Sequence, residues 1–380
     1  MPLPLQTPHR RRMLQSAAAL VLATTASSWA QAGRGASRPL MIAQIFDAST
    51  EQQDVSKDFL IGSRAAWQDI NSKGGLRGRP VQHSSIEVDG SAASLQAAVQ
   101  SIRDNPACVA LSGTVSDPVA TQLVGLLRKE GVSIAHVAPW LQNSIVEIDD
   151  RTFPIFAARQ EQISHALKSL AVIGLQEIGA VFASPREYTL YSEDVARIAG
   201  ELKFRLLTYN GNGDLAQLGQ RMGSSTPAVL LFIGGTPELV QFTQGLDKQA
   251  RQRYVVALAD VNLQTVMQMG GAKSTPVIAT QAVPMVSAAL PVVRRYREVL
   301  ARLFDEPPVA LSLAGFIAAQ YTYDVLADID GAVTRASVLA GFQKRTAIDV
   351  GGYRISFNAQ RRSSTYVTQS MLTADGRVVG

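Results

Sequence analysis

The chain has 380 residues, of which 46% are hydrophobic and 18% are charged. That length is too great for one ordinary core and suits two domains. The single cysteine excludes an internal disulfide, and the net charge of +5 gives no reason to expect a nucleic-acid partner.

The first 32 residues have the three parts of a secretory signal. Three arginines at 10–12 precede the apolar run 17–26, and Ala-Gln-Ala at 30–32 is a small-x-small cleavage site. The apolar run is far shorter than the roughly 20 residues that cross a bilayer. Arg10 to Leu14 also approximates a twin-arginine signal, so both the twin-arginine and the ordinary export routes stay open. Cleavage near Ala32 would lower the net charge by three, from +5 to +2, and place the protein in the periplasm.

Beyond the signal, short apolar runs alternate with amphipathic segments. In the first half, the pattern predicts a helix from Ser91, which can cap it, to about Arg103, and a second helix over 118–129. The predicted strands are Leu40–Phe46, Val81–Val88, Cys108–Ser112 and Ser133–Val137. Cys108 is expected to be a small buried hydrophobe on its strand.

The same alternation restarts after residue 160. Predicted helices cover 161–173, 192–202 and 237–249, and the predicted strands are 178–183, 205–208, 228–233, 254–258 and 276–280. Strands alternating with helices of 10–15 residues predict an α/β protein with two doubly wound parallel-sheet lobes. The tail differs, with predicted helices at 291–304, 311–328 and 334–342, strands at 353–358 and 365–373, and a turn at Asp375-Gly376.

One stretch, Ile61–Val81, is more specific than the rest. Apolar or small residues recur at helical spacing at Phe59, Ser63, Ala66, Trp67 and Ile70, and two glycines follow that can end a helix in the left-handed conformation. This helix and Gly-Gly turn resemble the first crossover of type I periplasmic solute-binding proteins, the leucine/isoleucine/valine-binding family. There the same place reads Asp-Ile-Asn-x-Lys-Gly-Gly-Ile/Leu-x-Gly.

The resemblance covers about residues 38–380 and implies the type I periplasmic binding protein fold, with two lobes joined by three hinge crossings. On this basis we expect lobe 1 to comprise 38–153 plus 285–351, and lobe 2 to comprise 157–280 plus 357–380. The hinges would lie near 153–157, 280–285 and 351–357. The sequence has no Pro/Ser-rich linker between the halves, which favours short hinge strands over a flexible tether.

Motifs for catalysis are missing from the sequence. It has no Gly-x-Ser-x-Gly elbow, no Gly-x-Gly-x-x-Gly after the first strand, no phosphate loop and no His-Glu-x-x-His. After the signal, only His83, His136 and His165 remain, without metal-ligand spacing. We therefore expect no enzyme activity, no metal and no cofactor, and His136 is interpreted as a core or pocket-edge histidine.

A ligand of an open α/β sheet sits beyond the carboxyl ends of the strands, so the candidate residues follow the predicted strands. In lobe 1, Thr114 and Ser116 match in type the hydroxyl residues with which the resembled family holds a ligand carboxylate. Asp117 departs from that pattern, and it either caps the following helix or repels such a ligand. After the fourth predicted strand, amino-acid binders of the resembled family often have Ser-Pro-x-Ala-Thr, whereas here the threonine is missing and Trp140 appears. Trp140 is either a lid over an apolar or aromatic ligand or a core residue.

In lobe 2, Tyr191 begins a segment that resembles the family's Tyr-Gly-x-x-x-Ala, whose tyrosine lines the cleft. Thr236 follows the next predicted strand. Asp260 corresponds roughly to the acidic residue that binds a ligand ammonium group in amino-acid binders. It either faces the cleft or caps a helix starting near Val261.

Together, these features predict a monomeric exported protein that closes its lobes on a small ligand, namely an amino acid, an amide or a small or aromatic carboxylate. The resemblance implies delivery of that ligand to the permease subunits of an ABC importer. Two alternatives stay open at this stage. One is a ligand-sensing module of a signalling receptor, and the other is an exported α/β enzyme.

Overall fold

A computed structural model of the protein describes residues 39–363, 366–373 and 377–380. The predicted signal segment and the Asp375-Gly376 turn lie outside these residues. Within them, no helix has both the length and the apolar character that a bilayer-spanning segment needs.

Two separate parallel sheets follow from the two runs of apolar strands. The first sheet has the strand order β2-β1-β3-β4-β5 with every pairing parallel. Its strands are β1 (Leu40–Asp47), β2 (Val81–Val88), β3 (Cys108–Ser112), β4 (Ala135–Val137) and β5 (Thr152–Phe153). All five residues of β3 are buried, as expected for a strand covered by helices on both faces.

The second sheet has seven strands and includes the end of the chain. Its strands are β6 (Glu177–Phe182), β7 (Arg205–Asn210), β8 (Val229–Ile233), β9 (Tyr254–Ala257), β10 (Val277–Gln281), β13 (Thr368–Leu372) and β14 (Val378–Val379). The order is β14-β13-β10-β9-β8-β6-β7. β13 pairs antiparallel with both β10 and β14, and all the other pairs are parallel. A hairpin of β11 (Ile348–Val350) and β12 (Tyr353–Ile355) precedes β13.

Eleven helices are present in the part of the chain that the structure describes. They are α1 (Gln53–Ser72), α2 (Ala92–Asp104), α3 (Asp117–Lys129), α4 (Arg159–Val172), α5 (Pro185–Glu201), α6 (Leu215–Gln220), α7 (Thr236–Leu246), α8 (Leu263–Gln268), α9 (Pro291–Leu303), α10 (Ala310–Ala327) and α11 (Arg335–Gln343). The predicted strand–helix rhythm is therefore confirmed, and Ser91 caps α2 by accepting from Ser94 N.

The Gly-Gly turn ends α1 as the sequence predicts. Gly74 and Gly75 have φ of +101° and +65°, values that residues with a side chain rarely adopt. A Cβ on Gly75 would lie 2.1 Å from the carbonyl oxygen of Arg79, so the turn needs glycine for space as well. Asn71 joins the turn to the next strand, because its amide both donates to Val81 O and accepts from Val81 N at 2.8 Å.

The acidic residue of the same motif has a structural role. The Asp69 side chain is 1% exposed, and Lys73, Arg295 and Arg302 donate to it at 2.9 Å. Burial alone would raise the pKa of Asp69, but these three cations hold it below its ordinary value. Asp69 thus joins α1 to α9 and faces no cleft.

Helices α1 and α10 touch backbone to backbone. A Cβ on Gly62 would lie 1.6 Å from Ser312 O, and a Cβ on Gly315 would lie 1.9 Å from Phe59 O. The Ser63 hydroxyl contacts Gly315 O at 3.2 Å. The predicted apolar face of α1 is buried throughout, so α1 and α10 form a closely packed helix pair against the first sheet.

The structure corrects several predicted boundaries. Helix α5, predicted over 192–202, starts at Pro185 and not near Ser192. Ser184 caps it by accepting from Glu187 N, and the fixed φ of Pro185 suits the first turn of a helix. Tyr191 is therefore on a helix and not in a loop. Short elements β5, β11, β14 and α6 were not predicted, since six residues or fewer carry too little periodicity.

The chain passes three times between the two sheets. It leaves β5 for α4, returns after β10 to α9–α11, which pack on α1 and the first sheet, and leaves β12 for β13. This gives an α/β fold of two parallel-sheet lobes with three crossings. The residue limits of the lobes and hinges given above stay predictions.

Candidate functional site

A polar cluster lies at the carboxyl ends of the strands, where the two lobes meet. We call it the interlobe cluster, and its members are Asp117 and Trp140 from the first lobe and Arg159, Tyr191 and Asp260 from the second. Three of these are predicted site residues, and all five side chains are largely buried. A salt bridge, a cation–π contact and two hydrogen bonds join them.

Arg159 is the centre of the cluster and was not predicted. Its Nη2 donates to Asp260 Oδ2 at 2.6 Å, and its guanidinium lies 5.2 Å from the ring centre of Tyr191. Burial alone would lower the pKa of Arg159, but the charge of Asp260, followed by Tyr191 and Asp117, raises it above its ordinary value. Arg159 is thus a permanently charged group in a side chain that is only 6% exposed.

Two nitrogen atoms of that guanidinium make no hydrogen bond to any described residue. Arg159 Nε and Nη1 are buried and have no hydrogen-bond partner within the described residues, and the same is true of Gln142 Nε2. Buried charged donors usually have partners, because an unsatisfied one costs more than about 1–3 kcal/mol. Among the side chains of the interlobe cluster and Gln142, the buried atoms without a partner are these three donors.

Asp260 faces the lobe boundary and does not cap a helix. Its Oδ1 accepts from Trp140 Nε1 at 2.8 Å, and its Oδ2 is taken by Arg159. The helix predicted near Val261 starts at Leu263 and is capped by Asn262, which accepts from Gln264 N and Thr265 N. Each carboxylate oxygen of Asp260 thus has one protein donor, one from each lobe.

Trp140 comes directly after the first sheet's fourth strand and reaches across to Asp260. Its ring packs against Phe59 at a centroid distance of 5.9 Å and against Phe156 at 5.3 Å. The side chain is 2% exposed. Trp140 therefore packs in the core of lobe 1 and also makes a polar contact with lobe 2, and its role as a lid over a ligand stays a prediction.

Asp117 does not cap α3, and whether it repels a ligand carboxylate stays a prediction. Ser116 is the N-cap of α3, and Asp117 is the first helical residue. Asp117 Oδ1 accepts from the backbone N–H groups of Gln142 and Asn143 at 2.7 Å, and Tyr191 Oη lies 3.4 Å from Oδ2. Burial raises the pKa of Asp117, which favours its neutral form.

The remaining predicted residues lie beside the cluster with their hydroxyl groups engaged. Thr114 Oγ1 is 3.0 Å from His136 Nε2, and Ser116 Oγ donates to Asp47 Oδ2 at 2.9 Å. Thr236 Oγ1 accepts from Asn262 N at 3.0 Å. Burial lowers the pKa of His136 to about 4, so this histidine is a neutral core residue.

Groups for other chemistry are sparse. Within the described residues, no three His, Cys, Asp or Glu side chains come together in a way that could hold a metal ion. An open depression of about 1000 Å³ lies elsewhere, lined by 144–150, 160–161 and 358–362 with Arg128. It shares no residue with the interlobe cluster.

Comparison with known proteins agrees with this geometry. The family model described as periplasmic binding protein matches residues 39–374, so the chain belongs to that family. Similar solved structures include a possible leucine/isoleucine/valine-binding protein from Rhodopirellula baltica and a leucine-binding protein from Thermotoga maritima. No curated protein sequence matches the chain.

Several solved structures share the fold at low identity. An extracellular ligand-binding receptor from Verminephrobacter eiseniae is 17% identical with a TM-score of 0.82, covering 90% of this chain and all of that one. A substrate-binding periplasmic protein from Ralstonia solanacearum is 17% identical at 0.80, covering 90% and 99%. A branched-chain amino acid ABC transporter protein from Thermus thermophilus, with bound valine, is 12% identical at 0.76, covering 90% and 95%. At such identities the likeness shows the fold alone.

Proposed function

We propose that this protein is an exported solute-binding protein that captures a small carboxylate-bearing ligand between its lobes and delivers it to an ABC importer. The ligand would be an amino acid or a small or aromatic acid. One observation carries the proposal: a buried arginine at the lobe boundary has two guanidinium nitrogens without partners. The ligand-binding residues would be Arg159 together with the predicted set Thr114, Ser116, Trp140, Tyr191, Thr236 and Asp260.

The balance of donors and acceptors favours a carboxylate. Asp260 and Asp117 already accept from protein donors, whereas Arg159 and Gln142 have donors to spare. A guanidinium edge can hold a carboxylate through two parallel hydrogen bonds, which are stronger than bonds to a neutral amide. Since burial favours neutral Asp117, that side chain would repel the ligand less than its type suggests.

Binding would work through lobe closure. Arg159 begins α4, directly after the predicted hinge at 153–157, so hinge motion would separate it from Trp140 and Asp117 of lobe 1. A ligand that contacts both lobes binds the closed form better and shifts the equilibrium toward it by that difference in affinity. The enclosed ligand would take the place of contacts that the side chains otherwise make with each other. No catalytic step is part of this proposal.

Because its family serves in import, we also propose that the protein acts in the periplasm and that its partner is an ABC permease. Residues 1–32 would direct export and be removed near Ala32, and the mature monomer would meet its permease in the periplasm. Labelled uptake of the ligand by cells should then fall to background when either this chain or that permease is deleted. Normal uptake without this chain, combined with tight binding in vitro, would favour sensing over transport.

The binding test uses thermal and calorimetric titration with paired probes. Amino acids and aromatic acids are compared with their carboxamides, and a ligand at 100 times its Kd should add about 2.7 kcal/mol to the free energy of unfolding. Arg159→Met should weaken binding at least 100-fold. Arg197→Met is the matched control, because Arg197 pairs with Asp194 and Glu201 on the exposed face of α5. Equal binding by wild type and Arg159→Met would overturn the proposal.

A further inference from the structure

A second polar contact between the lobes lies outside the interlobe cluster. Asp58, on α1 of lobe 1, accepts a hydrogen bond from Asn262 Nδ2 at 2.6 Å. Asn262 belongs to the segment that connects β9 to α8 in lobe 2. Asp58 is half-buried in this arrangement. One side-chain hydrogen bond thus joins the α1–α10 helix pair of lobe 1 to a loop of lobe 2.

Asn262 is held firmly on its own side of that bond. Its Oδ1 accepts from two backbone N–H groups at the start of α8, and its own N–H donates to Thr236 Oγ1 at 3.0 Å. Asp260 of the interlobe cluster lies two residues earlier in the same segment, and its carbonyl oxygen is 3.4 Å from Thr236 Oγ1. The bond to Asp58 therefore also fixes where the Asp260 loop lies relative to lobe 1.

The charged groups around Asp58 leave its carboxylate without an ion-pair partner among the described residues. Lys57 lowers the pKa of Asp58 and Asp54 and Glu306 raise it, while Lys57 and Glu306 pair with each other at 3.3 Å. The nearby Tyr296 is neutral, because burial raises its pKa to about 12. On the lobe 2 side, α8 carries no charged side chain. The ionised form of Asp58 thus has one neutral donor and no bonded cation.

Loss of solvent is the largest influence on this carboxyl group. Burial raises the pKa of Asp58 from its ordinary value of 3.8 to about 6, although the Asn262 hydrogen bond and Lys57 lower it. Part of the burial comes from lobe 2, because Asn262 is in contact with the carboxyl group. Separation of the lobes would admit water and let the pKa fall toward its ordinary value. The closed form therefore binds this proton more tightly than an open form, so a lower pH favours closure.

We infer that Asp58 and Asn262 form a proton-controlled latch, in which the neutral carboxyl group keeps the lobes closed and its ionisation favours their opening. The neutral group still accepts from Asn262, and no charge is then buried without compensation. Asp58 is a positioning residue, because it acts through Asn262 on the loop that carries Asp260. The inference rests on the lobe motion of the proposed function but not on its ligand. Capture should thus be stronger in acidic than in neutral surroundings.

The test measures lobe closure in the mature protein without any ligand. Dyes on Lys129→Cys at the end of α3 and Lys248→Cys after α7 report the distance between the lobes by single-molecule energy transfer. Both lysines are exposed, whereas Cys108 is buried and stays unlabelled. An open form with a pKa of about 4 and a closed form with about 6 predict that the closed-to-open ratio rises about tenfold from pH 7 to pH 5. An unchanged ratio would overturn the inference.

Asp58→Asn keeps the acceptor oxygen but cannot ionise. Its closed-to-open ratio should exceed that of wild type, and the excess should shrink about tenfold from pH 7 to pH 5. Asp104→Asn, at the exposed end of α2, is the matched control and should follow wild type. Burial also raises the pKa of Asp117 in the interlobe cluster, but Asp117 is present in all three proteins and its effect cancels. Equal pH dependence in wild type and Asp58→Asn would refute the latch.

A swap of the two side chains tests the direct contact. Asn262→Asp keeps an oxygen that can cap α8 but brings two carboxylates together, so the lobes should separate at pH 7. Adding Asp58→Asn restores one donor and one acceptor in the reverse direction and should restore closure. A double variant as open as Asn262→Asp would contradict the pairing of Asp58 with Asn262. Since no ligand is present, these outcomes do not depend on whether a carboxylate binds Arg159.

Discussion

The α1–α10 contact and the interlobe cluster hold the protein together in opposite ways. Between α1 and α10, two glycines bring the backbones so close that no other residue fits. In the interlobe cluster, charged and aromatic side chains from both lobes meet through polar contacts, and donors remain unused. Contacts of the first kind have no substitute, whereas contacts of the second kind can be exchanged for a ligand or water. Rigidity within a lobe and separability between lobes thus come from different chemistry.

The largest effect should come from removing one partner of the buried salt bridge. Asp260→Ala leaves the Arg159 guanidinium buried without its counter-charge and should lower the free energy of unfolding by about 4 kcal/mol. Urea denaturation measures this.

The double variant Arg159→Met/Asp260→Leu sharpens the comparison. Replacing both charges by apolar groups should restore stability to within about 1 kcal/mol of wild type, while carboxylate binding stays lost. Such a result would show that the pair serves binding more than folding. A double variant as unstable as Asp260→Ala would show that the cluster is as irreplaceable as the α1–α10 contact.

Overpacking the helix contact should come next. Gly315→Ala places a Cβ 1.9 Å from Phe59 O, so the two helices must move apart, at a cost of about 3 kcal/mol. Gly125→Ala in α3 is the control, because nothing lies within 4 Å of its Cβ, and it should stabilise by about 0.5 kcal/mol. Thermal unfolding of both variants checks the difference. Equal melting temperatures would refute the close approach.

A smaller loss is expected where the two lobes share one hydrogen bond. Trp140→Phe keeps an aromatic ring against Phe59 and Phe156 but removes the N–H that donates to Asp260. The free energy of unfolding should fall by about 2 kcal/mol, as for a hydrogen bond to a charged group. Small-angle scattering should also show a larger radius of gyration if this bond holds the lobes together. An unchanged radius with lower stability would confine the role of Trp140 to lobe 1.

The last effect should depend on pH. Burial raises the pKa of Asp58 to about 6, whereas an unfolded chain has a value of about 3.9. The folded state therefore holds this proton more tightly, and its stability falls as the pH rises from about 4 to about 6. Asp58→Asn cannot lose a proton, so its stability relative to wild type should rise by about 3 kcal/mol over that range, since about two pKa units correspond to about 1.4 kcal/mol each.

Two buried histidines also make the free energy of unfolding depend on pH, so only the difference between wild type and Asp58→Asn is informative. Burial lowers the pKa of His83 and of His136 to about 4, so both raise stability as the pH rises from about 4 to 6.5. They act equally in wild type and in Asp58→Asn and cancel in the comparison. A difference that stays flat between pH 4 and 6 would refute the raised pKa of Asp58.

Local sequence predicted the fold well, and it named three of the five side chains that the structure brings together in the interlobe cluster. β2 and β3 have the predicted bounds because each is a run of strand-forming residues between turn signals. The choice between the two roles of Asp260 needed the structure, because capping and cleft contact share one residue type. Arg159 was missed because its partner lies 101 positions away, and nothing local to either residue marks the pair. Short helices such as α6 have too few turns to show the 3.6-residue hydrophobic period from which a helix is predicted.

The antiparallel strand β13 also bears on how the protein is made. It covers one edge of β10, whose other edge is covered by β9, and its residues are among the last of the chain. Until the ribosome has released this end, β10 has an unpaired edge that is open to aggregation. The second lobe therefore matures only after β13 has been synthesised, and a chain cut short before residue 368 carries an exposed strand that proteases and chaperones can recognise.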